Sequence, residues 1–443
     1  MTIYALSSGP GISGVAVIRV SGKDAARVVK LVTKSDLPSP RTASLKKIYN
    51  IRTNELIDEG VIIWFPGPNS YTGEDLAEFH VHGSRAVISA VHFSISVIKN
   101  CRLAEPGEFT KIAFQNGKIN LLKAESIADL ISADTEIQRK QAIKVMSGKS
   151  ADQYDVWRKK LLKMLSHVEA KVDFPEEDLP NNIIKEISKT CNQISSEMTM
   201  VLNDKRVGEI IREGYKIAIV GPTNAGKSSL LNYLSKRDVA IVSETAGTTR
   251  DVIETHLNLD GYPVIVSDTA GIRDSRDEIE KKGIKLALNR AENADLKLLI
   301  VDVKFSNFSK TLGNLIDKNT ILVVNKSDLI KGKINQKFKK HDHILVSIKN
   351  NFNLDKLILK IKSKLQKKFT TDEDILITRE RHRYNLEQCV IHLKNFGTKN
   401  GTNEFDKAAE DLRLATRHLG MIVGKVGVED VLDSIFADFC IGK

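Results

Sequence analysis

The segment from Gly221 to Leu230 reads GPTNAGKSSL and follows directly on the short apolar run KIAIV. A buried strand that leads into GxxxxGK[ST] is typical of a phosphate-binding loop. The glycines let backbone N–H groups wrap a phosphate, and the helix that follows presents its N-terminus to the anion. In this interpretation Lys227 reaches the β- and γ-phosphates, and the Ser228 hydroxyl is a magnesium ligand. A strand, loop and helix of this kind belong to an α/β domain.

Further segments follow in the order that a guanine nucleotide site requires. SETAGTTRD, from Ser243 to Asp251, is a candidate switch loop in which Thr249 is a second magnesium hydroxyl. DTAG, which begins at Asp268, ends the apolar run PVIVS, where a carboxylate can hold magnesium through water. NKSD, which ends at Asp328, follows ILVV and selects guanine because the aspartate accepts from the purine N1–H and N2 amine. Together these segments predict a GTPase domain.

The residues of this site share one expected role, contact with GTP or its cations. We expect GTP to be bound by Asn224, Ala225, Gly226, Lys227, Ser228, Ser229, Ser243, Thr245, Gly247, Thr248, Thr249, Asp268, Thr269, Ala270, Gly271, Asn325, Lys326, Asp328 and Ser347. Magnesium is expected on Ser228 and Thr249, and Lys227 is expected to take part in catalysis.

The catalytic polar groups of this domain must come from outside the DTAG segment. Many small GTPases follow DxxG with a glutamine that orients the attacking water, but Ile272 stands at that position here. The amide oxygen of Asn224 would face the phosphates. With Ser243, Thr245 and Thr248 it would form an oxygen cage for a monovalent cation, which could neutralise charge in the transition state. The alternative is a solvated asparagine that stabilises a turn.

The pattern along the chain predicts a multidomain α/β protein with an insertion. Residues 1–118 alternate β-like runs (VAVIRV, GVIIWF, EFHVHG) with turns and two helical stretches, which predicts an α+β domain. Residues 119–212 and 371–443 have helical spacing. Residues 213–370 alternate apolar strands with helices, as in a parallel, Ras-like doubly wound domain. We expect the two helical parts to form one discontinuous domain, with the GTPase domain inserted between them.

Length, charge and cysteine content indicate the number of domains, the kind of binding partner and the cellular compartment. A chain of 443 residues is long enough for roughly three domains of about 150 residues. The formal net charge of +11 favours a polyanionic partner such as RNA, although lysine is frequent throughout the sequence and charge alone does not exclude a membrane surface. The four cysteines are far apart, no signal peptide is visible, and no apolar run is long enough to cross a bilayer. A cytoplasmic location is therefore expected.

The motifs resemble one family over essentially the whole chain. GPTNAGKSSLLN, TAGTTRD and DTAGIRDSRDEIE resemble the translation-factor-like GTPases of the TrmE, Era and EngA type. PNSYTGEDLAEFHVHGS, EPGEFTKIAFQNGKINLLKAESIADLI, VDFPEED and the terminal FCIGK are similar to the tRNA modification GTPase family MnmE, also called TrmE. These stretches lie in all three expected domains.

The resemblance implies a folate site in the N-terminal domain and dimerisation through that domain. Proteins of the family hold 5-formyltetrahydrofolate or a related tetrahydrofolate there. The matching positions are Arg19, Glu78, Lys118 and Lys443. Arginine and lysine suit folate carboxylates, and a glutamate suits the donor groups of the pterin.

For the GTPase domain, the resemblance implies that hydrolysis is potassium-dependent and follows dimerisation of the GTPase domains. Asn224 matches the potassium-ligating asparagine, and Ser243, Thr245 and Thr248 lie on the loop around the cation. The glutamate that orients water falls on Glu280, which without the resemblance would be interpreted as a charge on a helix surface.

The resemblance also implies a reaction on tRNA. With the FAD-dependent partner MnmG (GidA), in a heterotetramer, the family adds an aminomethyl or carboxymethylaminomethyl group to C5 of wobble uridine 34, using a tetrahydrofolate one-carbon unit. Cys440 is a possible nucleophile toward uridine C6, since thiolates add to such rings, although a cysteine on a helical face can equally be a core residue.

Two other classes of protein share features with this sequence. A ribosome-assembly GTPase would bind rRNA and no folate, and the segment VGKVGV from Val423 to Val428 fits the GxxG of a KH domain. Helical sequence on both sides predicts instead a glycine turn that ends a helix. A purely structural dimeric scaffold would not need the intact GTPase motifs.

Overall fold

The computed structural model describes most of the chain. The described residues are 1–9, 11–173, 181–237, 240–241, 254–268, 288–304, 310–330, 338, 341–369, 375–399, 405–426, 432, 435–436, 439 and 442. They fall into two compact units. The first comprises Met1–Ala128, Val145–Ser195 and Asn385–Lys443, and the second comprises Asp129–Lys144 and Ser196–Tyr384. The expected domain boundaries at 118, 212 and 370 stay a prediction.

The first unit begins with a six-stranded sheet in the order β3-β4-β5-β2-β1-β6. Its strands are β1 (Thr2–Leu6), β2 (Ser13–Ser21), β3 (Ser44–Tyr49), β4 (Leu56–Phe65), β5 (Leu76–Gly83) and β6 (Cys101–Leu103). The β1–β6 pair is parallel, and the other pairs are antiparallel. The three predicted strand segments are therefore confirmed.

Helices cover this sheet because alternate residues of its strands are apolar. In β5, Phe79 and Val81 are buried while Glu78 and His80 lie on the other face, as the two-residue period of a strand requires. The described part of this segment has three helices, α1 (Ala25–Thr33), α2 (Arg85–Ser96) and α3 (Glu108–Gln115), where the sequence indicated two.

A helical segment follows, with α4 (Leu121–Ile131), α5 (Glu136–Met146), α6 (Lys149–Asp173), α7 (Asn181–Leu202) and α8 (Val207–Glu213). Buried residues of α6 recur every three or four positions, among them Tyr154, Trp157 and Leu161, as expected for an amphipathic helix. The second unit contains α5 up to Lys144 and all of α8. Within it, the Gln141 side chain donates to the Gly208 carbonyl at 2.9 Å.

The second unit contains a seven-stranded sheet in the order β13-β12-β11-β7-β10-β9-β8. Its strands are β7 (Tyr215–Val220), β8 (Ala240–Ile241), β9 (Glu254–Leu259), β10 (Tyr262–Asp268), β11 (Leu296–Asp302), β12 (Thr320–Asn325) and β13 (His343–Leu345). The helices of this segment include α9 (Lys227–Arg237), α10 (Lys310–Asn314) and α11 (Leu354–Phe369). The apolar runs KIAIV, PVIVS and ILVV lie in β7, β10 and β12, as predicted, and these strands run parallel in the sheet together with β11 and β13.

The sheet of this Ras-like domain has one antiparallel edge. β9 pairs antiparallel with β10, and β8 pairs antiparallel with β9. The reason is the two-residue turn Asp260–Gly261, in which both residues have positive φ (53° and 88°). A turn this short joins neighbouring antiparallel strands and cannot make the crossover that a parallel pair needs.

The chain returns to the helical segment with α12 (Glu380–Lys399) and α13 (Phe405–Val423). Within the first unit, α13 contacts α6 from the earlier helical block, and Arg413 pairs with Glu169 at 2.9 Å. α13 ends in a glycine turn, as predicted: Gly424 has φ 83°, and the Lys425 N–H donates to the Gly420 carbonyl at 2.8 Å. This geometry explains the GxxG match without a KH domain. Across the described residues, no helix combines the length and apolar character of a membrane span.

Candidate functional site

The phosphate loop lies between β7 and α9, where the sequence places it. Asn224 has φ 59° and Gly226 has φ 107°, so two residues of the loop are in the left-handed region. A Cβ atom on Gly226 would lie 2.3 Å from the Asn325 side-chain nitrogen. Because the Asn325 side chain at the end of β12 approaches the loop so closely, this position requires glycine.

Lys227 is held at the loop by main-chain carbonyl groups. Its ammonium donates to the Gly221 oxygen at 3.2 Å and to the Pro222 oxygen at 3.0 Å, and the residue is only 8% exposed. These bonds keep the charged group next to the loop. A triphosphate offers it stronger, charge-assisted acceptors at the same place.

Asn325, at the end of β12, joins the loops around the site. Its amide donates to the Ala225 carbonyl at 2.8 Å, and its side-chain oxygen accepts from the Ile348 N–H at 3.2 Å. The residue is 4% exposed. Asn325 thus acts mainly on the shape of the site, because both of its bonds go to protein backbone.

Asp328 presents a carboxylate beside this junction. The Ser347 hydroxyl donates to its Oδ1 at 2.6 Å. This hydrogen bond, with a smaller contribution from the positive charges of Lys349 and Lys326, holds the pKa of Asp328 below its ordinary value. The carboxylate is therefore an acceptor at neutral pH, as recognition of guanine N–H groups requires.

A cavity of about 610 Å³ connects the phosphate loop with Asp328. Its lining is formed by Asn224, Gly226, Lys227, Ser228, Ser229, Asn325, Lys326, Asp328, Leu329, Ile348 and Lys349. The volume is in the range of small-molecule sites. The eight predicted residues in this set come from segments about 100 residues apart in sequence, and the fold brings them together.

Some residues of the site were not predicted. Leu329, Ile348 and Lys349 line the cavity, and Asp302 pairs with Lys326 at 3.3 Å. Only their positions next to predicted segments could have identified these residues. Leu329 follows NKSD, Ile348 follows Ser347, and Asp302 ends the apolar run LKLLIVD.

Other predicted nucleotide-site residues are placed only in part or lie outside the description. Asp268 ends β10, where its backbone is opposite Ile219 in β7, next to the strand end that leads into the phosphate loop. The predicted residues outside the described part of the chain are Ser243, Thr245, Gly247, Thr248, Thr249, Thr269, Ala270, Gly271, Glu280, Cys440 and Lys443.

A second cluster of predicted residues lies on the N-terminal sheet. Arg19 in β2 is the direct cross-strand partner of Glu78 in β5, and its Nη2 and Nε donate to Glu78 Oε1 at 2.8 and 3.1 Å. The two side chains are 15% and 18% exposed. The guanidinium also lies over the rings of Tyr71 and Phe109, at 5.5 and 5.7 Å from their centroids. The sequence did not point to these rings.

Of the other two predicted folate positions, Lys118 is described and Lys443 lies outside the described residues. Lys118 packs against Gly73, in the same loop as Tyr71. Gly442, the residue before Lys443, has a carbonyl oxygen that accepts from Arg19 Nη1 at 3.4 Å. His80, which was not predicted, places its Nε2 3.4 Å from Glu78 Oε2. The structure therefore brings Arg19 and Glu78 together with the C-terminal segment.

Comparison with family models covers nearly the whole chain. The model of the MnmE helical domain matches residues 121–440, and the model of the GTP-binding protein TrmE N-terminus matches residues 2–118.

Full-length relatives are closely similar. The chain is 70% identical over 443 residues to the tRNA modification GTPase MnmE of Pelagibacter ubique (strain HTCC1062), and both chains are covered completely. It is 45% identical over 446 residues to the protein of that name from Rickettsia bellii (strain RML369-C), again with 100% of both covered.

Solved structures match one part of the chain. A variant of Aquifex aeolicus Era bound to GDP·AlF4⁻ is 25% identical with a TM-score of 0.28, covering 40% of this chain and 66% of that one. The G domain of the T. maritima FeoB iron transporter is 26% identical with a TM-score of 0.27, covering 34% of this chain and 99% of that one.

The family models and the full-length identity lead to one assignment. The chain belongs to the MnmE family of tRNA modification GTPases, and it is a GTP hydrolase that acts in tRNA modification.

Proposed function

We propose that this GTPase works with the FAD-dependent protein MnmG (GidA) to add an aminomethyl or carboxymethylaminomethyl group to C5 of wobble uridine 34 in certain tRNAs. The two proteins form a heterotetramer around a homodimer of this chain, in the cytoplasm. Bound tetrahydrofolate supplies the one-carbon unit. GTP hydrolysis drives domain motion and does not itself transfer the group.

In the GTPase domain, the residues around the cavity bind and orient the nucleotide. The phosphate-loop amides and Lys227 hold the phosphates, and Asp328 accepts from the guanine N–H groups. The position of Ser228 in the cavity lining fits its assignment as a magnesium ligand, with Thr249 as the second hydroxyl. Magnesium, when bound, neutralises charge on the phosphates.

Asn224 supports the potassium dependence that we propose. It lines the cavity and adopts φ 59°, a backbone conformation that asparagine tolerates better than most residues. With Ser243, Thr245 and Thr248 it would hold potassium, which supplies a positive charge beside the phosphates. Glu280 would orient the attacking water when two GTPase domains meet. The described residues do not include Ser243, Thr245, Thr248 or Glu280.

The Arg19–Glu78 pair is the observation that carries the one-carbon function. A largely buried guanidinium between two aromatic rings, next to a carboxylate, fits a folate ligand. The partly exposed Tyr71 ring offers a stacking surface to a pterin, and the carboxylate offers an acceptor to its N–H groups. Lys118 and Lys443 would bind folate carboxylates, Arg19 would hold Glu78 in place at the pterin, and Cys440 is the candidate nucleophile toward uridine C6.

The test is transfer of labelled carbon from tetrahydrofolate to tRNA, with the full chain, MnmG, GTP and unmodified tRNA. We expect label in uridine 34 for the wild type. Arg19→Gln should abolish transfer and leave GTP turnover within about twofold, because the two sites lie in separate units. The control Arg27→Gln changes an arginine of α1 whose side chain is 55% exposed, and it should transfer normally. Unlabelled tRNA in the wild type, or full transfer by Arg19→Gln, would overturn the proposal.

A further inference from the structure

The C-terminal end of the described chain is tied to the end of β1. The Ser7 hydroxyl donates to the main-chain carbonyl of Gly442 at 2.9 Å. Arg19 Nη1 donates to the same oxygen at 3.4 Å. One carbonyl oxygen therefore receives two side-chain donors that are 435 and 423 residues away in sequence.

The backbone approach at this contact is close enough to specify the residue. Gly442 has φ 94°, and a Cβ atom there would lie 2.2 Å from the Leu6 carbonyl oxygen. No side chain fits at that distance without moving the end of β1 or the tail. The contact is thus built by glycine at one end and by the Ser7 hydroxyl at the other.

The segment before Gly442 is anchored independently. Phe436 and Phe439 are 2% and 6% exposed, and they pack in one cluster with Leu121 and Ala124 of α4. The tail is therefore held by apolar packing at Phe439 and by hydrogen bonds at Gly442, three positions later.

We propose that Ser7 is a positioning residue, which holds the Gly442 carbonyl group against Arg19 of the Arg19–Glu78 pair. The inference rests on the proposed function, since the place of the tail matters to the reaction only if one-carbon transfer takes place there. Arg19 connects the tail to Glu78, because its Nε and Nη2 donate to Glu78 while its Nη1 donates to the Gly442 carbonyl.

Ser7→Ala removes the contact, and Ser8→Ala is the matched control. Ser8 lies at the same end of β1, and its hydroxyl oxygen accepts from the Val17 N–H at 3.2 Å, so each variant loses one hydroxyl hydrogen bond. Amide hydrogen exchange of the C-terminal peptide is measured on the full chain. We expect exchange about fivefold faster in Ser7→Ala, the factor that one net hydrogen bond gives, and unchanged exchange in Ser8→Ala.

Transfer kinetics test the role in the reaction. In Ser7→Ala, kcat for transfer to tRNA should fall while GTP turnover stays unchanged, and Ser7→Thr should keep the wild-type kcat because it keeps the hydroxyl. Equal exchange in Ser7→Ala and the wild type would overturn the contact. Faster exchange with unchanged kcat would overturn the positioning role and leave the proposed function intact. If the wild type transfers no carbon to tRNA, the proposed function and the positioning role both fail. Amide hydrogen exchange of the C-terminal peptide would still decide whether Ser7 holds the tail.

Discussion

The side-chain amide of Asn325 donates to the main-chain carbonyl of Ala225 at 2.8 Å, and so joins two loops that are 100 residues apart. The Ile348 N–H closes the junction by donating to the other end of the same amide at 3.2 Å. A single buried side chain thus connects the loops that hold the phosphates and the base.

Asn325→Ala should destabilise the protein and weaken nucleotide binding. It leaves a buried carbonyl and a buried N–H without partners, which costs about 2 to 3 kcal/mol in the free energy of unfolding. GTP must then also order the freed loops. Urea unfolding and titration with a fluorescent GDP analogue measure the two effects. Asn319→Ala is the control, because Asn319 precedes the same strand and is exposed. Equal losses in both variants would contradict the role of the junction.

Asp328→Asn should change the base that is preferred. The carboxylate accepts two N–H groups of guanine, and an amide can accept only on its oxygen, so GTP affinity should fall roughly tenfold to a hundredfold. Xanthine carries a carbonyl where guanine carries the 2-amino group, and the new amide can donate to it. Binding of XTP should therefore improve. Competition between GTP and XTP measures the change, and Asp342→Asn, at an exposed ion pair with Lys360, should not alter it. Unchanged preference in Asp328→Asn would exclude this residue from base recognition.

Asn224→Gly should remove the potassium stimulation of GTP hydrolysis. Glycine tolerates the left-handed backbone at this position and removes the side chain with its amide oxygen. GTP turnover is compared in potassium chloride and sodium chloride at equal ionic strength. We expect the wild type to be faster in potassium by about tenfold or more, and Asn224→Gly to be slow in both salts. Asn54→Gly, at an exposed turn residue with φ 62°, is the control. Equal rates of the wild type in both salts would mean that Asn224 only stabilises the turn.

Glu209→Gln should lower stability in a pH-dependent way. Glu209 and Arg383 pair at 2.7 Å with side chains 6% and 8% exposed. Burial raises the pKa of Glu209, but hydrogen bonds from Arg383 and Arg206 outweigh it, and the net pKa lies below the ordinary value. Replacing the carboxylate should cost about 3 kcal/mol in the free energy of unfolding at pH 7. Because the folded pKa is lowered, this contribution is complete above about pH 4.3 and is lost as pH falls further.

Urea unfolding of both proteins between pH 7 and pH 3.5 checks this prediction. The difference between wild type and Glu209→Gln should shrink as the acid range is entered. Glu380→Gln is the control, since Glu380 contacts Arg206 in the same network and is 69% exposed. Its effect should stay below about 1 kcal/mol, as for other surface pairs. A constant difference at all pH values would show that the loss comes from packing alone.

Much of this protein was predictable from short segments of its sequence. The phosphate loop, NKSD and the strands that lead into them were located correctly, because each depends on local backbone preferences and on alternation or runs of apolar residues. The dipeptide Asp260–Gly261 is also a hairpin signal in the sequence, and the antiparallel edge of the sheet follows from it.

The contacts that give the sites their shape were decided only by tertiary structure. Asn325 reaches Ala225, Arg19 lies between Tyr71 and Phe109, and Ser7 meets Gly442, each across a separation that no local pattern encodes. Which residues meet at such distances depends on strand register and on the summed burial of whole elements, to which each residue contributes a small part. The sequence by itself thus determined which chemical groups the chain carries and in which local geometry. Only the packing of sheets and helices decided which of those groups share a site, because long-range pairing is a property of the complete fold.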